Sequence, residues 1–404
     1  MNLKKIIHEF NYLKAEDIGQ VFVFLISIIP SLFYKLYIKL SGKRIWLICE
    51  DKNEARDNGF CFFKYMNSHP NEIETYYAIS KKSADLEKVL ATGKTVNYGS
   101  LFHWILYFAC EFNISSQKAG KPNAAVCFVL EVFGIIKRKA VFMQHGITIN
   151  RAEWLFNENA KIKKFICGAA PEFDYVKEHF GYPPENVLYL GFPRFDDYHG
   201  IEPDKKQIVL MPSWREWIAS KNEFSNEFED TKNFTSTEYY RKYQEFINSK
   251  ELDALLCENK IKMYFYPHRN MQKYIDFFST DSQNIIIVDN KSSDIRELLI
   301  NSAAMITDYS SVALDFAYMK KPVIYYQFDE ERFRRAQYAE GYYSYRDSGL
   351  GVVTNTAEDT VRELKSIIER DFALSDSAEK AHGEFFSIWD NKNCERIYKE
   401  LYGE

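Results

Sequence analysis

Short apolar runs alternate with amphipathic stretches over most of this chain, from Arg44 to its end. Runs of four or five residues rich in Val, Ile, Tyr and Phe indicate strands, and the segments between them have the apolar spacing of helices. This alternation predicts parallel sheets covered by helices on both faces. The first series of predicted strands is 45–49, 75–79, 95–98, 112–115, 140–143, 164–167 and 187–190; the second is 207–211, 262–266, 285–288, 305–307 and 323–326.

Helices are predicted between these strands and at the end of the chain. The polar stretch 218–236 is predicted to be a long loop, and loops of that length are usually functional lids or disordered. The predicted helices are 60–66, 101–110, 124–133, 172–180, 237–248, 271–278, 294–300, 357–371 and 378–402.

A chain of 404 residues is longer than one hydrophobic core usually supports, so we expect two domains. We place a first α/β domain at 41–198 and a second α/β domain at 205–380. The segment 381–404 is a candidate helix for packing back on the first domain. Two doubly wound sheets bind ligands at the carboxyl ends of their strands, which predicts a cleft there.

The first 40 residues are predicted to associate with a membrane. The stretch 18–34 has no charged residue, is flanked by lysines and is interrupted by Pro30. Three interpretations compete: a helix in the membrane interface, a single membrane span, or a buried core helix. We favour membrane contact, because apolar and aromatic residues with lysines at their edges suit the headgroup boundary. If the stretch spans the membrane, basic residues after Tyr34 would keep the next domain on the cytoplasmic side.

Composition excludes some functions. The net charge of -5 argues against a nucleic-acid-binding protein, whose domains usually carry a basic face. The seven cysteines show no Cys-x-x-Cys pair, which indicates a reducing compartment. No spacing typical of metal ligands is present, so we expect neither a metal nor a cofactor.

The stretch 303–317 has the most specific pattern for a ligand site. A short strand leads through a polar turn into an amphipathic helix, and Asp308 and Ser310 are predicted to cap that helix. The amides of Ser310 and Ser311 would then bind phosphate, and Asp315, one turn later, would accept the hydroxyls of a ribose. The pattern predicts a site for a nucleoside diphosphate, although ordinary capping residues would have the same sequence.

Two motifs follow strands of the first domain. His145 comes after the strand 140–143 and is followed by a glycine, as suits a general base. Arg194 ends the motif Gly-x-Pro-Arg after the strand 187–190 and would present a guanidinium to phosphate. The alternatives are a structural histidine and a solvated arginine in a surface turn.

Two further motifs follow strands of the second domain. Trp214 and Arg215 come after the strand 207–211 and suit stacking on a base and pairing with a phosphate. His268 and Arg269 come after the strand 262–266, with Asn270 predicted to cap the next helix. The alternative for Trp214 is packing at the domain interface.

Together these motifs resemble the CDP-glycerol glycerophosphotransferase family, over roughly residues 41–390 and in the family's order. The segment 50–64 also resembles the amino-terminal half of family members. The resemblance implies the GT-B fold, an enzyme of teichoic acid synthesis, and work at the cytoplasmic face of the cell membrane as a peripheral or monotopic protein. The motifs are His145-Gly146, Gly191-x-Pro193-Arg194, Pro212-Ser213-Trp214-Arg215, Pro267-His268 and Thr307-Asp308-Tyr309-Ser310-Ser311-x-x-x-Asp315-Phe316.

The resemblance also implies roles for individual residues. His145 would deprotonate the acceptor hydroxyl, with His268 as the second catalytic candidate. His268 and Arg215 would hold the donor phosphates, Ser310 and Ser311 the pyrophosphate, and Asp315 the ribose. The rest of the expected donor site is Gln144, Gly146, Thr148, Arg194, Trp214 and Arg269.

The implied reaction is transfer of an alditol phosphate from CDP-glycerol or CDP-ribitol to a lipid-linked acceptor, with release of CMP. Family members often have Thr-Pro after His-Gly, whereas this chain has Ile147-Thr148, so the acceptor is left open. Two alternatives remain: a GT-B glycosyltransferase that uses a nucleotide sugar for surface polysaccharide or capsule, and a non-catalytic nucleotide-binding protein tethered to the membrane.

Overall fold

The computed structural model of the chain describes residues 15–136, 139–221, 228–230, 233–289 and 295–403. Residues 1–14 of the predicted membrane segment lie outside this range, as do parts of the predicted loop 218–236. The chain forms two compact units. The first comprises Met1–His145, Ala152–Asp197 and Asp390–Glu404, and the second comprises Gly146–Arg151 and Tyr198–Trp389.

The first unit is built on a seven-stranded parallel sheet in the order β3-β2-β1-β4-β5-β6-β7. Its strands are β1 (Arg44–Cys49), β2 (Ile73–Ile79), β3 (Lys94–Asn97), β4 (Phe112–Ser115), β5 (Ala140–Phe142), β6 (Lys164–Cys167) and β7 (Val187–Tyr189). Its helices are α1 (Ala15–Ser41), α2 (Asn58–Ser68), α3 (Leu86–Thr92), α4 (Leu101–Ala109), α5 (Ala124–Val132), α6 (Asn157–Ala160) and α7 (Ala170–His179).

The second unit is built on a six-stranded parallel sheet in the order β12-β11-β8-β13-β14-β15. The strands of this sheet are β8 (Asp204–Leu210), β11 (Lys262–Phe265), β12 (Ile285–Ile287), β13 (Ser302–Thr307), β14 (Val323–Tyr326) and β15 (Val352–Thr354). Two further strands of the unit, β9 (Ala219–Lys221) and β10 (Phe228–Asp230), pair only with each other. Its helices are α8 (Glu238–Ile247), α9 (Lys250–Asn259), α10 (Ile295–Asn301), α11 (Val312–Tyr318), α12 (Glu330–Ala336), α13 (Ala357–Glu369) and α14 (Asp376–Phe385).

The last helix, α15 (Asn393–Tyr402), belongs to the first unit. Cys394, Ile397 and Leu401 are buried in the same apolar cluster as Trp46 and Phe62. The prediction of two parallel sheets covered by helices is confirmed, and every predicted strand overlaps an observed one. Buried strands in such sheets are continuous apolar runs, so the sequence pattern is strong enough to locate them.

Several predicted elements differ from the structure. Part of the stretch predicted to be a loop pairs as the antiparallel strands β9 and β10. The predicted helix 271–278 is a 3₁₀ helix over Arg269–Phe277, in which Met271 and Tyr274, three residues apart, are both buried. The predicted helix 378–402 is two helices, because Asp390 accepts the amide of Lys392 in a turn between them. Strand β15 and helices α3, α6, α9 and α12 were not predicted.

Helix α1 continues through Pro30, where an interruption was predicted. Proline removes one hydrogen-bond donor from a helix interior. On the inward face near this point, Ser27 Oγ donates to the Phe24 carbonyl at 2.6 Å and Ser31 Oγ donates to the Ser27 carbonyl at 2.5 Å. The helix packs against α4, and Trp104 Nε1 donates to Gln20 Oε1 at 2.9 Å.

Candidate active site

A fully buried arginine organises the strand ends of the second unit. The guanidinium of Arg215 pairs with Asp308 at 2.8 Å and with Asp329 at 2.7 Å. Arg215 follows β8, Asp308 follows β13 and Asp329 follows β14, which are neighbours in the sheet. The prediction that Arg215 binds donor phosphate directly therefore disagrees with this structure, because its side chain has no exposed surface and is neutralised by two carboxylates.

Asp308 is part of the same network. The prediction that it caps the following helix is wrong. Asp308 accepts the amides of Ser213 at 2.8 Å and Tyr309 at 2.7 Å, and the Tyr243 hydroxyl at 3.0 Å. Burial would raise the pKa of Asp308, but Arg215 and these hydrogen bonds hold it below the usual value. The carboxylate thus stays charged and fixes the turn that follows β13.

Ser310 and Ser311 follow this fixed turn and are partly exposed. Ser310 Oγ accepts the amide of Val312 at 3.3 Å, and α11 begins at Val312 and contains seven residues. Asp315 lies within α11 and is mostly buried, with 6% of its surface exposed. Gly146 lies next to Ser311: a Cβ atom added to this glycine would come within 3.1 Å of Ser311 Oγ. The structure therefore brings the glycine of the His-Gly motif to the serine pair.

His268 is neutral and oriented by its own backbone turn. Its Nδ1 accepts the amide of Asn270 at 3.2 Å, so Asn270 is not the predicted cap and the ring proton is assigned to Nε2. Burial, with the positive charge of Arg269, lowers the pKa of His268 to about 4. The ring stacks with Trp214 at 6.5 Å between centroids, and Arg269 is exposed. His268 can therefore donate a hydrogen bond to phosphate, but it brings no positive charge at neutral pH.

A buried clamp holds the loop that carries His145 in the first unit. Asn58 Nδ2 donates to the carbonyls of Met143 at 3.1 Å and Gln144 at 2.7 Å, and Asn58 Oδ1 accepts the amide of Arg194 at 3.1 Å. Arg194 Nη1 donates to Asp57 at 2.9 Å and to the His145 carbonyl at 3.1 Å. Arg194 is thus a support for the histidine loop, which differs from the predicted role as a phosphate ligand.

Gln144 adopts a left-handed backbone conformation, with φ of 55°. Such a conformation is costly for a residue other than glycine and needs support from its surroundings. Gln144 Nε2 provides it by donating to the Ile166 carbonyl at 2.8 Å and to Glu172 at 3.0 Å. Gln144 is 1% exposed, so its side chain anchors the loop. This differs from the prediction that Gln144 faces the donor.

The histidine itself is solvent-accessible and is held by a main-chain hydrogen bond. The side chain of His145 is exposed to solvent. The surrounding protein nevertheless removes part of its hydration, and this desolvation lowers its pKa from the ordinary value. The charge of Asp57 opposes this shift, Arg194 adds to it, and a hydrogen bond to the Ser116 backbone also opposes it. A ring nitrogen that donates to a carbonyl leaves the other nitrogen unprotonated at neutral pH, as a general base requires.

The sequence did not identify several residues of these networks. Asn58 and Asp57 lie in a stretch that resembles the family, but nothing in the sequence linked them to His145. Asp329, Tyr243 and Glu172 had no signal of their own, because only the fold brings them to the motifs. Thr148 is partly exposed between the buried Ile147 and Ile149. Among the described residues, no group of His, Cys, Asp and Glu is arranged to hold a metal ion.

Several known proteins that resemble this chain are proteins of teichoic acid synthesis. A protein-family model described as CDP-Glycerol:Poly(glycerophosphate) glycerophosphotransferase matches residues 31–403. The minor teichoic acid biosynthesis protein GgaB of Bacillus subtilis (strain 168) is 30% identical over 385 residues, which cover 93% of this chain and 41% of that protein. The chain therefore spans less than half the length of this relative.

A second relative matches along nearly its whole length. The teichoic acid poly(glycerol phosphate) polymerase of Bacillus spizizenii is 26% identical over 389 residues, covering 86% of this chain and 88% of that protein. Among solved structures, a histidine-to-asparagine variant of the wall teichoic acid polymerase TagF soaked with CDPG has a TM-score of 0.65 at 16% identity, with 97% of this chain and 98% of that chain covered. This likeness confirms the predicted GT-B-like fold.

We predict that Arg215→Met lowers the free energy of unfolding by about 3–5 kcal/mol, because it leaves two carboxylates buried without their partner. Chemical unfolding followed by circular dichroism measures this loss. Arg335→Gln is the control: Arg335 pairs with Glu331 on the surface, where removing the pair should change stability by less than about 1 kcal/mol. Equal effects of the two substitutions would contradict an organising role for Arg215.

Proposed function

This chain belongs to the CDP-glycerol:poly(glycerophosphate) glycerophosphotransferase family, and from that premise we propose that it transfers an alditol phosphate from a CDP-alditol to a lipid-linked glycan or polyol acceptor. The family match over residues 31–403, which contains every motif described above, carries this proposal. The soak of TagF with CDPG supports a CDP-alditol as the donor. We leave the polyol, glycerol or ribitol, to the experiment.

In the proposed reaction, the hydroxyl oxygen of the acceptor attacks the β-phosphorus of the donor. The bond between that phosphorus and the bridging oxygen breaks, CMP leaves with the bridging oxygen, and the acceptor receives the alditol phosphate. The acceptor proton passes to His145. CMP is a good leaving group, so positioning of the reactants and stabilisation of phosphate charge account for most of the catalysis.

We propose His145 as the base because its geometry suits proton acceptance. The hydrogen bond to the Ser116 backbone orients the ring, and the clamp of Asn58 and Arg194 fixes the loop that carries it. The lowered pKa keeps the ring neutral at neutral pH, so it is ready to take a proton. His268 is the second candidate, but its pKa of about 4 makes it a weaker base.

The proposed donor site lies around the turn after β13. Ser310 and Ser311 offer two hydroxyls and their amides to the pyrophosphate, and the proton on His268 Nε2 offers a further donor. Asp315 is proposed to accept the ribose hydroxyls. Arg215 contributes indirectly, because it holds Asp308 and hence the turn that carries the two serines.

Helix α1 supports attachment to a membrane, which we propose as the second part of the function. Asp17–Ser41 is long and apolar enough to cross a bilayer, with a mean hydropathy of 2.0. However, Asp17, Phe24, Ser31 and Ile38, seven residues apart, are all buried against the first unit. A helix docked along its whole length, about 33 Å for 22 residues, cannot leave the protein body to span a bilayer. We therefore propose that α1 lies in the interface plane.

The outward face of α1 is apolar, although the inward face also contributes Phe24 and Ile38 to a buried apolar cluster. The large apolar residues of the outward face are 40% to 78% exposed, and the inward face carries Ser27 and Ser31. Water would disfavour this arrangement, whereas a bilayer surface would cover the apolar residues, at about 25 cal/mol for each Å² removed from water. The exposed apolar residues of α1 are Ile18, Phe22, Leu25, Ile26, Ile28, Ile29, Leu32, Phe33, Leu36, Tyr37 and Leu40.

We predict that His145→Gln lowers turnover by about 10²–10⁴-fold and leaves donor affinity nearly unchanged. The assay is CMP release from CDP-glycerol, CDP-ribitol and a UDP-sugar with a lipid-linked acceptor. The wild-type rate should fall as the pH drops through the pKa of His145, which desolvation lowers from the ordinary histidine value, because protonation removes the base. His179→Gln, at an exposed histidine, is the control. Turnover with the UDP-sugar alone would overturn the proposed reaction.

Asp315→Asn should weaken binding of the CDP-alditol by about 1.5–3 kcal/mol, because a hydrogen bond to a charged acceptor is lost. Calorimetry with the folded variant measures the affinity. Glu369→Gln changes the same charge in α13 and should bind like the wild type. An unchanged affinity for Asp315→Asn would remove this residue from the donor site.

Replacing Ile29 and Phe33 by Glu should abolish flotation of the protein with phospholipid vesicles, because both side chains are 65–70% exposed on the apolar face. Leu90→Glu, at a half-exposed apolar position of α3, is the control and should float normally. Bound wild-type protein should also be extracted by alkaline carbonate. Resistance to this extraction would contradict the in-plane arrangement and favour a membrane span.

A further inference from the structure

A basic groove lies at the carboxyl end of α1. It has a volume of about 630 Å³, and its walls come from α1, the start of β1, the end of α4 and the chain before β5. Its lining includes five basic side chains and one acidic side chain, Glu111. The basic residues are Lys35, Lys39, Lys43, Arg44 and Lys139.

The charges in the groove are only partly neutralised. Arg44 donates to both oxygens of Glu111, at 2.8 and 2.9 Å, and Lys43 lies 3.5 Å from Glu74. Lys35, Lys39 and Lys139 have no carboxylate within 4 Å in the part of the chain that the structure describes. The ammonium group of Lys139 lies over the Phe112 ring at 5.1 Å. Three lysines therefore leave the groove with positive charge available to an anion.

The groove is continuous with apolar surface. Ile135, which lines it, is 64% exposed, and Leu36 and Leu40, next to its lysines on α1, are 52% and 78% exposed. Ile38 and Ile136 are buried in its wall. This combination of positive charge and apolar surface complements an anionic lipid: the positive charge suits the lipid phosphate, and the exposed apolar side chains suit the acyl chains below it.

We propose that this groove binds the phosphate of an anionic phospholipid head group while α1 lies among the acyl chains beside it. The proposal rests on the proposed membrane attachment of α1 and not on the transferase reaction. Lys35 and Lys39 are one turn apart on α1, and Lys139 belongs to the opposite wall, so a phosphodiester between them would meet ammonium groups from two sides. A free phosphate would use the same charges, but it would gain nothing from the exposed Ile135, Leu36 and Leu40.

Vesicle flotation of the full chain tests this site. The variant replaces Lys35, Lys39 and Lys139 by Gln, and the control replaces Lys81, Lys82 and Lys161, three exposed lysines of the same unit, by Gln. We expect the groove variant to bind vesicles containing phosphatidylglycerol at least about tenfold more weakly than the wild type, with the control unchanged. Binding to phosphatidylcholine vesicles should be the same for all three proteins.

Equal losses in the groove and control variants would overturn the site, because they would indicate a diffuse charge effect. Calorimetry distinguishes the sources of phosphate: soluble dihexanoyl-phosphatidylglycerol should bind the wild type and not the groove variant, and inorganic phosphate should bind neither. Tight binding of inorganic phosphate would refute a lipid site. The groove variant should release CMP like the wild type in detergent with a soluble acceptor, so loss of vesicle binding alone separates this proposal from the transferase reaction.

Discussion

The ion network around Arg215 is the constraint on which the proposed donor site depends. One guanidinium with no exposed surface joins residues that follow β8, β13 and β14, three neighbouring strands. A buried ion pair contributes little to stability compared with apolar packing, but it fixes geometry, because each charge would be costly without its partner. The turn carrying Ser310 and Ser311 is therefore held at its start by Asp308 and the arginine that pairs with it.

The first unit fixes its histidine loop mainly through side-chain amides, beside the ion pair of Arg194 with Asp57. Asn58 uses its amide to hold two carbonyls of the histidine loop and the amide of Arg194, while Gln144 keeps a left-handed conformation through its own side chain. Neither network needs a long helix or a glycine-rich loop. In both units, buried polar side chains position backbone turns at the ends of parallel strands, and the residues proposed to meet substrate are carried by those turns.

The sequence predicted the sheets well and the residue roles less well, for a physical reason. Buried parallel strands are continuous apolar runs, so their positions follow from local composition. The partners of Arg215 and Gln144 are far away along the chain, and only the fold brings Asp329 or Glu172 to them. A motif arginine has the same local sequence whether it binds phosphate or a buried carboxylate, and burial decides between them here. The segment predicted as an α-helix at 271–278 is a 3₁₀ helix, because its buried residues Met271 and Tyr274 are three residues apart.

For helix α1, the side chains that face the protein and those that face solvent are more informative than mean hydropathy alone. Its composition suits a span, a core helix or an interfacial helix equally. Two features support the proposed interfacial helix: one stripe of the helix is docked along its length and carries two serines, while the opposite stripe is apolar and exposed. A core helix would not expose so many large apolar side chains to solvent. The unit that carries α1 also carries His145, so attachment at α1 would hold the proposed base at a fixed height above the lipid surface from which a lipid-linked acceptor would come.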